Sequence, residues 1–147
     1  MKELLENPSR VQGDVASATR EVRAVLDRYV QAMEEEDIAL FGAVMAHDED
    51  MVNFGAFGQP VTGWRALRDV IEGQAAVLDF VSIEQSDVKV KVLPSGEDAW
   101  ATSLWQLHAQ SGPDTIDLPI RCSWILQKRD EGWRVVHFHK SAAAGSA

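Results

Sequence analysis

Apolar residues recur at three- and four-residue spacing through Val22, Val25, Leu26, Tyr29, Val30 and Met33. That spacing puts them on one stripe of a helix, expected from about Ser17 to Glu35 with Asp14 or Ser17 as its cap. The acid run Glu34-Glu35-Glu36-Asp37 ends the stripe and reads as a solvated turn. Asp37 then caps a short second helix that turns Ile38, Phe41, Val44 and Met45 inward. Met51 to Phe54 reads as a strand. Gly55, Gly58 and Pro60 turn the chain, and Val61 to Gly63 returns it. A third helix, from about Trp64 to Asp79 and capped by Thr62, carries Trp64, Leu67, Ile71, Ala75 and Leu78 on one side.

The second half of the chain changes period. Segments 81–93, 98–110, 115–129 and 132–141 are rich in β-branched and aromatic residues. Pro94-Ser95-Gly96, Ser111-Gly112-Pro113 and Asp130-Glu131-Gly132 separate them. Short turns between consecutive strands predict an antiparallel meander. Helices first and a meander after predict an α+β fold, a curved antiparallel sheet packed on three N-terminal helices. Residues 15–141 form the expected domain, after a flexible arm at 1–14 broken by Pro8 and Gly13 and before a flexible tail at 142–147.

Side chains alternate across a strand, so parity sorts the faces. In 115–129 the even positions Ile116, Leu118, Ile120, Cys122, Trp124 and Leu126 are apolar and should face the helices. Carried to the neighbouring strands, the same parity turns Trp100, Thr102, Leu104, Gln106 and His108 inward, with Val136, Phe138 and Lys140. It leaves Trp105, Leu107, Ile125, Trp133 and Val135 outside. An apolar patch of that size reads as an interface, so the expected partner is a second copy of the chain against the outer sheet face.

Composition narrows the function classes. The chain of 147 residues suits one domain and can bury a core without staples. Its net charge of −9 repels phosphate backbones and anionic lipid, which argues against nucleic-acid and membrane partners. A single cysteine allows no intrachain disulfide. With no signal-peptide pattern and no spanning apolar run, the expected compartment is the cytoplasm. There is no phosphate-binding glycine loop and no dinucleotide fingerprint, so no cofactor is expected.

The stretch Arg129-Asp130-Glu131-Gly132-Trp133-Arg134-Val135-Val136-His137-Phe138-His139-Lys140-Ser141 resembles the ending of the calcium/calmodulin-dependent protein kinase II association domain. It is also similar to SnoaL-like and ketosteroid-isomerase-like bacterial relatives within the nuclear transport factor 2-like superfamily. Gly96-Glu97-Asp98-Ala99 before a strand is a second similarity, and the likeness spans about residues 17–141. The resemblance implies a cone-shaped fold with a pocket between the first helices and the inner sheet face, and dimers through the sheet. This fold hosts isomerases, cyclases, dehydratases, hydrolases and non-catalytic modules, so the site must decide the chemistry.

Steroid isomerisation needs a carboxylate base on the first strand, and Asn53-Phe54-Gly55-Ala56-Phe57-Gly58-Gln59 holds none, which disfavours that reaction. Asp48, Glu49 and Asp50 fall in the loop before it. Where the kinase association domains carry cavity arginines, this chain has Gln106, Trp124 and Lys140. With Tyr29, Asn53, Trp64 and Phe138 they suggest a pocket for a small hydrophobic or carboxylate-bearing molecule with one polar end. A binding site then requires Gln106, Trp124 and Lys140 to converge on one enclosed space. His108 is the candidate general acid or base. His137 and His139 share a strand face, but two ligands do not make a metal site, and none is expected. The resemblance makes that pair structural, hydrogen-bonded with Ser141. Cys122 reads as a small core residue. The leading reading is a small-molecule pocket protein open to cofactor-independent isomerase, cyclase or hydrolase chemistry; the alternative is a non-catalytic homo-oligomeric association module.

Overall fold

The computed structural model describes residues 8–143, with side chains from residue 13 onward. Helix α1 spans Pro8–Glu35, α2 Ile38–Val44 and α3 Trp64–Val77. Strands β1 (Val52–Asn53) and β2 (Val61–Thr62) form a small hairpin between α2 and α3. Strands β3 (Phe80–Val92), β4 (Asp98–Ser111), β5 (Asp114–Arg129) and β6 (Gly132–Ser141) form an antiparallel sheet in chain order. This is the expected α+β architecture of three helices on one antiparallel sheet.

Helix α1 begins at Pro8, nine residues before the expected start. Residues 8–14 of the proposed arm are therefore helical; 1–7 and 144–147 lie outside the described residues. The buried stripe is the one the spacing indicates, from Val22 through Leu26 and Tyr29 to Val30. The acid run does more than meet solvent. A Glu34 carboxylate oxygen accepts the Ile83 N–H of the edge strand at 2.8 Å, and Asp37 accepts from the Leu40 N–H at 2.9 Å to cap α2. Thr62 does not cap α3. Gly63 holds that place with φ 85°, donating its N–H to the Met51 carbonyl, while a Cβ there would stand 2.9 Å from the Glu49 carbonyl oxygen.

The inner face of β5 is as parity indicates: Ile120, Cys122, Trp124 and Leu126 are buried. On β4 the parity is inverted. Ala99, Ala101, Ser103, Trp105 and Ala109 are buried, whereas Trp100 and Leu104 are 45% and 46% exposed. The cause is the two-residue turn at Gly112-Pro113. It pairs Ser111 with Asp114 and Ala101 with Trp124, so every even position of β5 shares a face with an odd position of β4. The turn at Asp130-Glu131 does the same to β6, turning Trp133 and Val135 into the core. Pairing then slips from Leu126↔Val135 to Ile125↔His137, which leaves Val136 as an extra residue. Beyond that bulge parity reverts, and Phe138 and Lys140 also face inward. The expected outer patch therefore dissolves. Trp105, Trp133 and Val135 are core, Leu107 is half-buried on the inner side, and only Ile125 remains outside.

The β1–β2 hairpin is tied to β6. Phe54 donates its N–H to the Phe138 carbonyl at 3.0 Å and accepts from the Lys140 N–H at 2.9 Å. Asn53, fully buried, accepts the Phe138 N–H on its side-chain oxygen at 2.9 Å. These bonds hold the bulged end of β6, and with it Lys140, against the helices.

Candidate functional site

A cavity of about 310 Å³ opens between the end of α1, the β1–β2 loop, α3 and the inner sheet face. Leu67 and Ile71 of α3 form one wall, and Ile83, Leu107 and Ile120 of the sheet form another. Phe57 and Val77 also line it and are more than half exposed, so they mark its mouth. Among the lining side chains only Glu36, Gln74 and Lys140 bring strongly polar groups. A mostly apolar concavity with few polar groups is the usual form of a small-molecule site.

Lys140 is the unusual group. Its Nζ donates to Tyr29 Oη at 2.5 Å and stands 4.3 Å from the ring centre of Phe138, 4.6 Å from that of Tyr29 and 4.8 Å from that of Trp105. Among the described residues no carboxylate pairs with it. Two effects compete. Each ring over the ammonium offers roughly 0.5–2 kcal/mol to the charged form, whereas taking an ammonium out of water costs several kcal/mol. Burial wins and pushes the amine down to about 8, with Cys122 acting in the opposite direction. Burial, followed by the nearby Cys122, also raises Tyr29 well above the usual phenol value, so its hydroxyl stays protonated. Cys122, the β5 partner of Lys140, is pushed up to about 11 by burial and is a core thiol rather than a nucleophile.

The structure brings together only part of the expected constellation. Tyr29, Trp124, Phe138 and Lys140 do meet, with Tyr29 and Trp124 edge to face at 4.6 Å. Of these, Phe138 and Lys140 line the cavity. Trp124 packs behind them, its Nε1 donating to Ser103 Oγ at 3.3 Å. Trp64 lies elsewhere, stacked on His47 at 4.3 Å and on Phe41. Asn53 spends its carbonyl on the Phe138 backbone, and its Nδ2 has no partner among the described residues.

Gln106 and His108 are not at the cavity. Both stand on the outer sheet face around Asp117, Gln106 donating to its Oδ1 at 2.5 Å and His108 Nδ1 lying 3.2 Å from the same oxygen. Gln106 thus fails to converge with Trp124 and Lys140, because the two-residue turn reverses the parity of β4; the binding site expected from those three residues does not form, and the cavity has a different lining around Lys140. Trp105, its neighbour, takes the inward place. His137 Nδ1 bonds the Val52 carbonyl at 2.5 Å, while Ser141 accepts from Arg121 at 3.2 Å, so the expected His–Ser cluster does not form. No group of three His, Cys, Asp or Glu residues suited to a metal occurs among the described residues.

Trp105, Leu107, Glu36 and the α3 wall escaped the sequence reading. The first two were hidden by parity, which the Gly112-Pro113 turn could have corrected. Glu36 was lost in the acid run; it adopts φ 55° after α1 and so leaves the helix toward the cavity.

The SnoaL-like domain family matches residues 22–145. No curated protein matches the chain. Similar solved structures include a candidate dehydratase of the nuclear transport factor 2-like family from Streptomyces avermitilis, 14% identical, covering 88% of this chain and 99% of its own at a TM-score of 0.79. A nuclear transport factor 2-like superfamily protein from Salmonella enterica is 19% identical, covering 90% of this chain and 95% of its own at 0.80. A candidate scytalone dehydratase from Novosphingobium aromaticivorans is 16% identical, covering 90% and 88% at 0.79. At these identities the likeness speaks to the fold.

Proposed function

Since the chain belongs to the SnoaL-like domain family, we propose that it binds a small, largely apolar molecule in the cavity and holds that molecule's single polar end on Lys140. The observation that carries this reading is an apolar hollow with one buried amine that bonds Tyr29 and that no carboxylate among the described residues pairs. An unpaired buried ammonium is costly, and a ligand oxygen arriving at Nζ would offset part of that cost. Cofactor-independent chemistry on a carbonyl-bearing metabolite follows naturally, with Lys140 polarising the oxygen and Tyr29 holding a proton beside it. Two of the similar structures carry dehydratase names, and loss of water from such a compound suits the same pocket. With no carboxylate in Asn53–Gln59, steroid isomerisation by a base on that segment stays disfavoured.

Thermal denaturation against small aromatic carboxylates, phenols and ketones tests the reading. A ligand present at a hundred times its Kd should stabilise by about 2.7 kcal/mol. Lys140→Met should remove the response to oxygen-bearing compounds while sparing purely apolar ones. A flat response across the panel from correctly folded protein would sink the reading.

A second copy on the outer sheet face is part of the proposal, and would also serve the alternative association module. Trp100 and Ile125 are register partners there, Leu104 lies on the same side, and all three are nearly half exposed. The lone buried Cys122 is consistent with a reducing cytoplasm as the compartment. No helix among the described residues is long and apolar enough to cross a membrane.

A further inference from the structure

We propose that Lys140 is an imine-forming amine, attacking the carbonyl carbon of an apolar aldehyde held in the cavity. The inference rests on the pocket reading above and narrows the ligand class. A cavity built to hold a carboxylate would supply several donors, because two oxygens need them. Here one amine stands among three rings, with a single phenol at 2.5 Å. Such surroundings keep the free base accessible, which is what activates a lysine as a nucleophile. Aliphatic walls from Ile83, Leu107 and Ile120 seat the rest of the aldehyde.

The step balances without an added reagent. The nitrogen lone pair forms an N–C bond, and the carbonyl π pair moves to oxygen. Tyr29 gives that oxygen its hydroxyl proton and recovers one from nitrogen, leaving a carbinolamine. The remaining N–H proton then passes to the hydroxyl, which departs as water as the nitrogen lone pair forms the C=N bond, so amine and aldehyde become imine and one water. Cys122, buried and protonated, does not compete.

Benzaldehyde with sodium cyanoborohydride tests this on the intact chain. Reduction traps an imine as a stable amine, adding the aldehyde mass less one oxygen. Peptide mapping should find Lys140 labelled at least tenfold faster than the exposed Lys89, Lys91 and Lys128. The labelling rate should rise through pH of about 8, where burial has moved this amine. The titratable groups facing it are Tyr29 on α1, Cys122 on β5 and Glu36 in the same lining. Lys140→Met should lose the adduct. Leu107→Trp, which fills the cavity and leaves the amine in place, should slow labelling at Lys140 and nowhere else.

Label spread evenly over the exposed lysines, or absent from Lys140, overturns the imine. Thermal shift with benzoate and benzyl alcohol separates the two levels. A shift without an adduct removes the imine and leaves the pocket. Neither shift nor adduct removes both.

Discussion

Lys140 makes the fold less stable at neutral pH. Its ammonium ionises at 10.5 in water and at about 8 in the folded chain, a displacement caused first by burial. Between those values the unfolded chain binds the proton more tightly, so stability rises with pH across that window. The penalty is fully present below pH 8 and amounts to roughly 3 kcal/mol. Urea melts of the wild type should therefore gain stability from pH 8 to 10 relative to Lys140→Met, whose profile lacks this component. Parallel profiles would show the amine to be solvated. A buried amine carrying that cost beside an apolar cavity is a candidate for function.

At the scale of elements, Gly63 sets the junction between the hairpin and α3. Its φ of 85° disfavours any side chain, and its absent Cβ leaves room for the Glu49 carbonyl. Gly63→Ala should cost about 2 kcal/mol or more. Gly73 sits inside α3 with nothing within 4 Å of a Cβ, so Gly73→Ala should instead gain roughly 0.5–1 kcal/mol. Thermal melts of the two variants check the pair, and equal losses would contradict the geometry. The second element-scale device is the extra residue in β6. Before Val136 odd positions face the core; after it even ones do. One bulge thus lets a single strand place Trp133 on α1, with its indole N–H on Glu21 at 3.1 Å, and Lys140 in the cavity.

Across the whole molecule the sheet has two faces of different character. The inner side carries the core and the cavity. The outer side presents Trp100, Leu104 and Ile125, with Gln106, His108 and Asp117 farther along β4 and β5. Sedimentation at micromolar concentration should show a dimer, and Trp100→Arg with Ile125→Glu should give a monomer that still answers cavity ligands. A wild-type monomer at that concentration would remove the interface. Independence of the two responses is expected because the substituted residues point away from the lining.

Periodicity and turn residues alone determined the three helices, the hairpin, four long strands in meander order and the inner face of β5. These are local properties: a stripe at 3.6 residues or an alternation at 2.0 is written in the residues that form it. Lys140 and Phe138 were legible as inward positions because they share the even parity of β5, although only the bulge makes that parity right for them. The facing of Gln106, His108, Trp105 and Trp133 was decided in three dimensions. Strand pairing across a two-residue turn reverses parity, and an extra residue reverses it again, so each face depends on the register of the whole sheet. The cavity belongs to that same level, since its walls come from α1, α3 and the sheet and meet only when the chain has closed.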